Sequence, residues 1–228
     1  MRVLTAQPTR AAQGTRVSVP LSAAARERVS RALADGGVMA YPTETSYALG
    51  GNALHAGLVE AIYRLKGRER GKSLLVLVDG AAHLSPWVRD VPAAARLLME
   101  RFWPGPLTLV LWAGPALPAH LPDARGTVAV RWSPHPVVAE LLRLGGTPLI
   151  GTSANRSGAP ALHSAQAVLD AFPAEPLLAI DGGATAGGPP STVLDATVWP
   201  FALVRAGAVP VAALRTALAA AHPGAGPS

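Results

Sequence analysis

The only two lysines of this chain lie in one window of seven residues, Lys66 to Lys72, with the sequence KGRERGK. Lysine and arginine together number 20, and all of them except these two lysines are arginines. An ammonium group is a compact point charge on a flexible stem, whereas a guanidinium is a planar fork. A segment that carries both types between glycines suits an anion with several oxygens, such as a polyphosphate. The alternative interpretation is a solvated turn between a helix and a strand.

The end of this window, Gly71-Lys72-Ser73, is similar to the end of a P-loop. A P-loop also needs a glycine five positions before Gly71, where this chain has Lys66. In addition, a P-loop is followed by a helix. Here an apolar pattern typical of a strand follows instead. The sequence therefore argues against a P-loop.

Two other segments are rich in small hydrogen-bonding side chains, and each follows an apolar strand pattern. Residues 42–51 read PTETSYALGG and are expected to form a loop; residues 152–158 read TSANRSG. Ligands of open α/β sheets bind beyond the carboxyl ends of strands. The first segment could equally be a turn whose polar groups satisfy one another.

Arg131 belongs to the alternating pattern GTVAVRW, which predicts a strand with Thr127, Ala129 and Arg131 on the same face. Burying a charge without a partner is costly, so this arginine needs one. The partner is either one of the 14 acidic residues or an anionic group of a ligand. From the residues alone, the ion pair is the favoured interpretation.

The composition fits one core and excludes several kinds of site. The chain has 228 residues, of which 50% are hydrophobic and 15% charged. The absence of cysteine excludes disulfides, thiolate metal sites and cysteine nucleophiles. The six histidines show no paired spacing typical of a zinc site. A net charge of +6 favours a polyanionic partner such as a nucleotide or RNA.

The longest apolar runs, 74–78 and 107–112, are too short to cross a bilayer, and residues 1–16 lack the apolar core of a secretory signal. We therefore expect a cytoplasmic protein with no membrane partner. Helical spacing predicts helices at 22–35, 55–66, 93–102, 136–144, 165–172 and 210–221, and apolar runs predict strands at 38–41, 73–78, 107–112, 126–132, 148–151, 177–180 and 202–205. This interleaving predicts an α/β fold.

Five groups of segments together resemble the YrdC/Sua5 family. They are YPTETSYALGGNAL, KGRERGKSLLVLV, FWPGPLTLVL, GTVAVRW with TSANRSGAPA, and DGGATAGGPPSTVLD with LVRAGAV, in the family's order. The resemblance implies a twisted open mixed sheet with flanking helices and a concave basic cleft. It covers about residues 22–218, which we expect to be the catalytic domain, between an N-terminal arm at 1–21 and a flexible tail at 219–228.

The resemblance also implies an activity, that of a nucleotidyltransferase. Family members make L-threonylcarbamoyl-AMP and pyrophosphate from L-threonine, bicarbonate and ATP, for the N6-threonylcarbamoyl modification of adenosine 37 in tRNA. Further expected partners are the downstream transferase machinery and tRNA itself. A Mg²⁺ ion is expected to be held mainly through the phosphates of ATP.

Site residues follow from the same resemblance, position by position. L-Threonine is expected to contact Thr45, Arg131 and Ser191. ATP is expected to contact Lys66, Arg68, Lys72, Thr127, Ser153, Asn155 and Arg205. Lys66 and Arg68 are also the expected catalytic residues, and both are expected to be solvated at a cleft. The chain departs from the family pattern at Glu69, Ser73 and Ala161, where proline, proline and serine are common.

Other functions stay open at this point. An RNA-binding relative would use the same basic cleft without turning over ATP, and a YciO-like relative would share the fold without this activity. The related domain of the hydrogenase maturation protein HypF belongs to a multidomain protein with zinc-binding cysteines, which this chain lacks.

Overall fold

The structure is a computed structural model that describes residues 14–67 and 74–221. Two of the expected ATP residues, Arg68 and Lys72, lie outside the described residues, as do Glu69 and Ser73. Within the described part of the chain, no helix is long and apolar enough to cross a membrane.

The described chain alternates helices with strands. The helices are α1 (Ala23–Ala34), α2 (Ala56–Lys66), α3 (Ala93–Phe102), α4 (Pro136–Gly145), α5 (Ala165–Ala171) and α6 (Val211–Ala221), with one short 3-10 turn at Ala81–His83. The strands are β1 (Thr15–Ser18), β2 (Met39–Pro42), β3 (Tyr47–Asn52), β4 (Leu75–Leu77), β5 (Leu107–Trp112), β6 (Thr127–Arg131), β7 (Leu149–Ser153), β8 (Leu178–Asp181), β9 (Thr192–Asp195) and β10 (Ala202–Arg205).

All ten strands form one sheet in the order β1-β8-β2-β3-β7-β4-β6-β5-β9-β10. The sheet is mixed, because it contains parallel pairs such as β4 with β6 and antiparallel pairs such as β3 with β7. Neighbours in the sheet are often distant in sequence, which brings segments from the whole chain to one surface. The α/β class and the mixed sheet with flanking helices are confirmed.

Three strands, β1, β3 and β9, were not predicted, and the expectation of a loop at 42–51 was wrong where β3 forms. The segment expected as a loop at 42–51 is a loop only at 43–46, because β3 begins at Tyr47. Its glycines resemble turn residues, yet a Cβ on Gly50 would lie 1.6 Å from the carbonyl oxygen of Ile150 on β7. A glycine in a strand often marks such a close backbone approach. The other two are β9 and β1; β1 lies inside the expected N-terminal arm and pairs with β8.

Helix ends agree with the residues that define them. The hydroxyl of Ser22 accepts a hydrogen bond from the backbone N–H of Ala25, which caps α1. Gly67 ends α2 in the left-handed conformation, with φ of 57°. Because this end is fixed, Lys66 in the last turn of α2 has a defined direction.

Helices cover the two faces of the sheet unequally. One face packs against α2, α3, α5 and α6 through alternating residues such as Val76 on β4 and Val130 on β6. The other face packs against α1 and α4 at the end formed by β8, β2 and β3. The neighbouring residues Leu75 and Ala129, which point to this second face, line a cleft beyond these two helices. The fold therefore leaves an open floor for a ligand on one part of the sheet.

Candidate active site

The cleft has a volume of about 920 Å³ and crosses seven adjacent strands, from β3 to β10. Its floor includes small and apolar side chains, and polar side chains come from strand ends and loops. Its charged residues are three arginines and two aspartates: Arg125, Arg131, Arg205, Asp123 and Asp195. The cleft among the described residues is therefore mildly basic, and it is large enough for more than one small molecule.

Six of the predicted site residues line this cleft, namely Thr45, Arg131, Ser153, Asn155, Ser191 and Arg205. They come from five parts of the chain, which the sheet order brings together: the loop at 43–46, β6, the end of β7 with the loop after it, the residue just before β9, and β10. Lys66 and Thr127 lie in the wall and do not reach the cleft surface. Candidates for the amino acid and candidates for the nucleotide therefore share one cavity.

Arg131 is almost completely buried, with 4% of its surface exposed, and it lies 3.5 Å from a carboxylate oxygen of Glu44 (Nη1 to Oε1). The second oxygen of Glu44 accepts a hydrogen bond from the hydroxyl of Ser133 at 2.6 Å. Two atoms of the ion pair, Nε of Arg131 and Oε1 of Glu44, are buried without a hydrogen-bond partner. The acidic partner expected for Arg131 therefore exists, but the pair leaves hydrogen-bonding capacity unused.

Burial lowers the pKa of Arg131 below its usual value, although Glu44 and Tyr41 partly counter this effect and Arg205 adds to it. Burial also raises the pKa of Tyr41, whose hydroxyl donates to the carbonyl of Ile150. An arginine still carries its proton at neutral pH under such conditions. The wall of the cleft thus contains a buried positive charge that is only partly compensated.

The loop at 43–46 is held by its own side chains. The hydroxyl of Thr43 donates to the carbonyl of Ser46 at 2.7 Å and accepts from the backbone N–H groups of Thr45 and Ser46. The hydroxyl of Thr45 lies 3.2 Å from that of Thr43. The expectation of a turn that satisfies its own polar groups holds for Thr43, whose hydroxyl bonds the backbone of Thr45 and Ser46, but not for Oε1 of Glu44. The same turn fixes Thr45 at the cleft surface.

Ser191 and Arg205 are joined directly. Arg205 donates from Nη2 to the carbonyl of Ser191 at 2.8 Å and to its hydroxyl at 3.1 Å. The hydroxyl of Ser191 also lies 2.9 Å from that of Thr108, a buried cleft residue on β5. Partial burial lowers the pKa of Arg205. A residue expected for threonine and one expected for ATP therefore belong to one hydrogen-bonded group.

Lys66 differs from the expectation that it is solvated, because only 5% of its surface is exposed. Its ammonium group donates to the carbonyls of Ser153 and Asn155 and to the side-chain oxygen of Asn155, the last at 3.3 Å. The hydroxyl of Ser153 donates to that same oxygen at 2.6 Å. The capped end of α2 directs Lys66 inward, so this lysine holds the loop after β7 in place.

Thr127 is fully buried, and its hydroxyl donates to Asp123 at 2.8 Å. The expected face shared by Thr127, Ala129 and Arg131 therefore lines the cleft at Ala129 and Arg131 only. The reason is local: Asp123 accepts from both the backbone and the hydroxyl of Thr127 and occupies the space toward the cleft. A direct contact of Thr127 with ATP stays a prediction.

Sequence reasoning did not find Glu44, Ser133 or Thr108. A signal for Glu44 was present, since Arg131 required a partner and Glu44 lies between two threonines after a strand. Ser133 and Thr108 gave no such signal, because their roles depend on which strands become neighbours. Ala161 and His163 also line the cleft.

Comparisons with known proteins agree on one family. A profile named Sua5_yciO_yrdC, with the description "Telomere recombination", matches residues 31–207. The Threonylcarbamoyl-AMP synthase of Pyrococcus abyssi is 40% identical over 177 residues, which are 78% of this chain and 52% of that protein. The Threonylcarbamoyl-AMP synthase of Thiobacillus denitrificans is 40% identical over 160 residues, 70% of this chain and 85% of that protein. The chain therefore spans about half of the first relative and most of the second.

Two solved structures share the fold. P. abyssi Sua5 complexed with L-threonine matches with a TM-score of 0.82 and 35% identity, over 89% of this chain and 59% of that one. Escherichia coli YciO matches with a TM-score of 0.80 and 25% identity, over 89% of this chain and 100% of that one.

Proposed function

The chain belongs to the Sua5/YciO/YrdC family, and from this premise we propose that it is an enzyme that forms L-threonylcarbamoyl-AMP. Its substrates are L-threonine, bicarbonate and ATP, and pyrophosphate is the second product. The observation that carries the proposal is that residues expected for threonine and residues expected for ATP line one continuous cleft. Relatives with the name Threonylcarbamoyl-AMP synthase, 40% identical, support it.

Arg131 is the residue for the carboxylate of L-threonine in this proposal. A guanidinium binds a carboxylate through parallel charge-assisted hydrogen bonds, and the burial of Arg131 keeps competing water away. The hydroxyls of Thr45 and Ser191 border the same cavity and serve the polar groups of the amino acid. These three residues come from distant parts of the chain, so only the folded sheet brings them to one ligand.

ATP occupies the rest of the cleft. Ser153, Asn155 and Arg205 line it, and Lys66 fixes the end of β7 and the loop after it, which carry the first two. Arg68 and Lys72 follow Lys66 in sequence and provide charge for the phosphates in this proposal. Lys66 then acts chiefly by placing the loop, whereas Arg68 is the candidate for direct contact.

The proposed reaction is a carboxylation followed by a displacement. The amine of L-threonine and bicarbonate give a carbamate with loss of water, and a carbamate oxygen attacks the α-phosphorus of ATP. The bond between that phosphorus and the bridging oxygen breaks, and pyrophosphate leaves. Such a displacement needs alignment and charge neutralisation more than a protein nucleophile. Arginine and lysine side chains beside the phosphates stabilise the charge that develops on the leaving group.

Mg²⁺ enters the proposal as an ion carried by the triphosphate. The cleft carboxylates Asp123 and Asp195 already accept hydrogen bonds at each oxygen, so they are engaged within the protein. Mg²⁺ commonly keeps several waters and binds through substrate phosphates. When bound it would neutralise phosphate charge, while the residues of this chain align the two substrates.

The product is reactive, so the proposal includes a consumer: a transferase that passes the threonylcarbamoyl group to adenosine 37 of tRNA. The cytoplasm is the compartment in which tRNA and ATP are both available. These partners rest on the family resemblance.

Mass spectrometry of a reaction with ¹³C-labelled bicarbonate tests the proposal. We expect a labelled threonylcarbamoyl adenylate, and pyrophosphate release, only when L-threonine, bicarbonate and ATP are all present. The control reactions each omit one substrate. Equal pyrophosphate release without L-threonine would defeat the assignment.

The match to YciO over the whole of that chain favours one second candidate, a YciO-like protein without this activity. A cleft with three arginines would then bind RNA or another polyanion. Binding of that kind weakens steeply with added salt and needs no ATP turnover. RNA binding with such a salt dependence, without the labelled adenylate, would establish the second candidate.

A further inference from the structure

The ion pair between Glu44 and Arg131 is incomplete in a buried place. The 3.5 Å between Nη1 and Oε1 exceeds the usual 2.7–2.9 Å of a charge-assisted hydrogen bond. Nε on one partner and Oε1 on the other lack any hydrogen-bond partner. Buried polar groups are generally satisfied, so unused capacity on both sides of one pair calls for an explanation.

Glu44 approaches Arg131 from the wall of the cleft. Its neighbours Thr43, Thr45 and Ser46 line the cavity, but Glu44 itself does not. A ligand in the cavity therefore meets Arg131 without displacing Glu44. This placement separates Glu44 from the residues that touch a substrate.

The carboxylate of Glu44 is fixed by a hydrogen bond to its side chain and by the turn that holds its backbone. Ser133 donates to its second oxygen at 2.6 Å, and the hydroxyl of Thr43 ties the backbone of the surrounding turn. Ser133 lies two residues after Arg131 in the chain, so both partners of Glu44 belong to the same strand end. The group thus sets the position of the guanidinium relative to β6.

We propose that Glu44 is a positioning residue for Arg131, which it orients and charge-compensates so that one N–H edge of the guanidinium receives the carboxylate of L-threonine. This inference rests on the proposed function, because it assumes that Arg131 binds that carboxylate. Glu44 compensates a charge whose burial would otherwise be costly. Since Glu44 holds one end of the guanidinium loosely, the remaining donors stay available to the ligand.

The alternative hypothesis, that Glu44 competes with the substrate for Arg131, predicts the opposite change in threonine binding. If Glu44 merely competed with the substrate for Arg131, removal of its charge would strengthen threonine binding. If Glu44 orients Arg131, the same change releases the guanidinium into other rotamers and weakens binding. The direction of the change in the threonine KM therefore decides between the two hypotheses.

The test compares Glu44→Gln with the unaltered protein in the adenylate assay. Glutamine keeps the length of the side chain and an oxygen for Ser133, but it removes the charge and replaces the oxygen that faces Arg131 with an amide NH₂ group, which cannot accept from the guanidinium. We expect the KM for L-threonine to rise at least about tenfold, the KM for ATP to change less than about twofold, and kcat at saturating threonine to be largely retained. Titration of the melting temperature with L-threonine gives a second, binding-only readout of the same loss.

Glu140→Gln is the matched control. Glu140 pairs with Arg26 at 2.9 Å, away from the cleft, so this variant loses an ion pair without changing threonine binding. Ser133→Ala keeps Glu44 but removes its hydrogen bond, and we expect a rise in the threonine KM of about threefold. If Glu44→Gln does not fold, Ser133→Ala decides the question.

The possible outcomes separate this inference from the proposed function. An unaltered protein that makes no threonine-dependent adenylate overturns both. An active protein in which Glu44→Gln leaves the threonine KM unchanged, or lowers it, overturns the positioning role alone. A lower melting temperature without a change in threonine KM shows a purely structural residue and also overturns it.

Discussion

Two arginine–carboxylate pairs border the same cleft, and they differ in how completely they are satisfied. Arg125 donates to Asp195 at 2.7 Å and to Thr197 at 2.9 Å, and Thr197 also donates to the other oxygen of Asp195. In the pair of Arg131 and Glu44, the distance is 3.5 Å and two buried atoms have no partner. The same two chemical groups thus form a closed network at one end of the cleft and an open one at the other.

The difference separates structure from binding. A closed network gains nothing from a ligand, because its donors and acceptors are already used. An open, buried pair gains hydrogen bonds when a ligand with complementary charge arrives. We therefore assign the end near Arg125 to stability and the end near Arg131 to recognition.

The largest expected effect comes from Arg131→Lys. Lysine keeps the charge but loses the planar fork, so a carboxylate can no longer be bound by two parallel hydrogen bonds. We expect the threonine KM to rise about a hundredfold, which corresponds to the loss of about one charge-assisted hydrogen bond. Steady-state kinetics with threonine as the varied substrate measure it.

Arg125→Lys is the matched control for that comparison. More than half of the Arg125 side chain is exposed, so its ion pair is screened by solvent. We expect a change in the threonine KM of less than about threefold. Equal effects of the two substitutions would remove the distinction between the open and the closed pair.

The second expected effect concerns acid stability and the closed pair. Burial of Asp195 raises its pKa, but hydrogen bonds from Thr197 and Arg125 outweigh burial and leave the pKa below its usual value. Because the folded pKa lies below the unfolded one, this carboxylate stabilises the fold above its unfolded pKa of about 4. That stabilisation is lost as the pH falls through the folded pKa.

We therefore expect Asp195→Asn to lower the melting temperature by a few degrees at pH 7, and the difference from the unaltered protein to shrink below about pH 4. Denaturation curves at the two pH values measure this. The threonine KM should stay within about twofold, because the closed pair does not bind the amino acid in this scheme. A difference in stability that grows toward acid pH would contradict the assigned sign.

Much of the fold was predictable from local patterns. The bounds of α3 and β5 agree with the prediction at both ends, since apolar spacing and flanking Pro or Gly residues mark them clearly. β3 was missed because Gly50 and Gly51 look like turn residues, whereas Gly50 allows the backbone of β7 to come close. That requirement depends on strand order, which no local pattern contains.

The site followed the same rule. The resemblance named residues that converge on one cleft, such as Arg131 and Arg205, because the family motifs preserve their positions in the chain. It did not give the burial of Lys66, which follows from the direction of α2, or the counter-ion of Arg131. Both depend on contacts between segments about 90 residues apart in the chain, such as Lys66 with Ser153 and Glu44 with Ser133.

The smallest expected effect comes from Thr108, which shares features of both the closed and the open network. Its hydroxyl lies 2.9 Å from that of Ser191, and Arg205 already donates to Ser191, so this network is nearly closed although it borders the proposed threonine site. Thr108→Val keeps the shape and removes one hydrogen bond, so we expect a loss of about 1 kcal/mol in unfolding free energy and a rise in the threonine KM of about threefold. Urea denaturation measures the first quantity and steady-state kinetics the second. Thr216→Val is the control, because the exposed hydroxyl of Thr216 donates to the carbonyl of Ala212 in its own helix. If the threonine KM rises as much as in Arg131→Lys, Thr108 contacts the amino acid directly. A side chain whose hydrogen bonds are already made within the protein would then also bind substrate, and the distinction between closed and open networks would no longer separate structural from binding residues in this cleft.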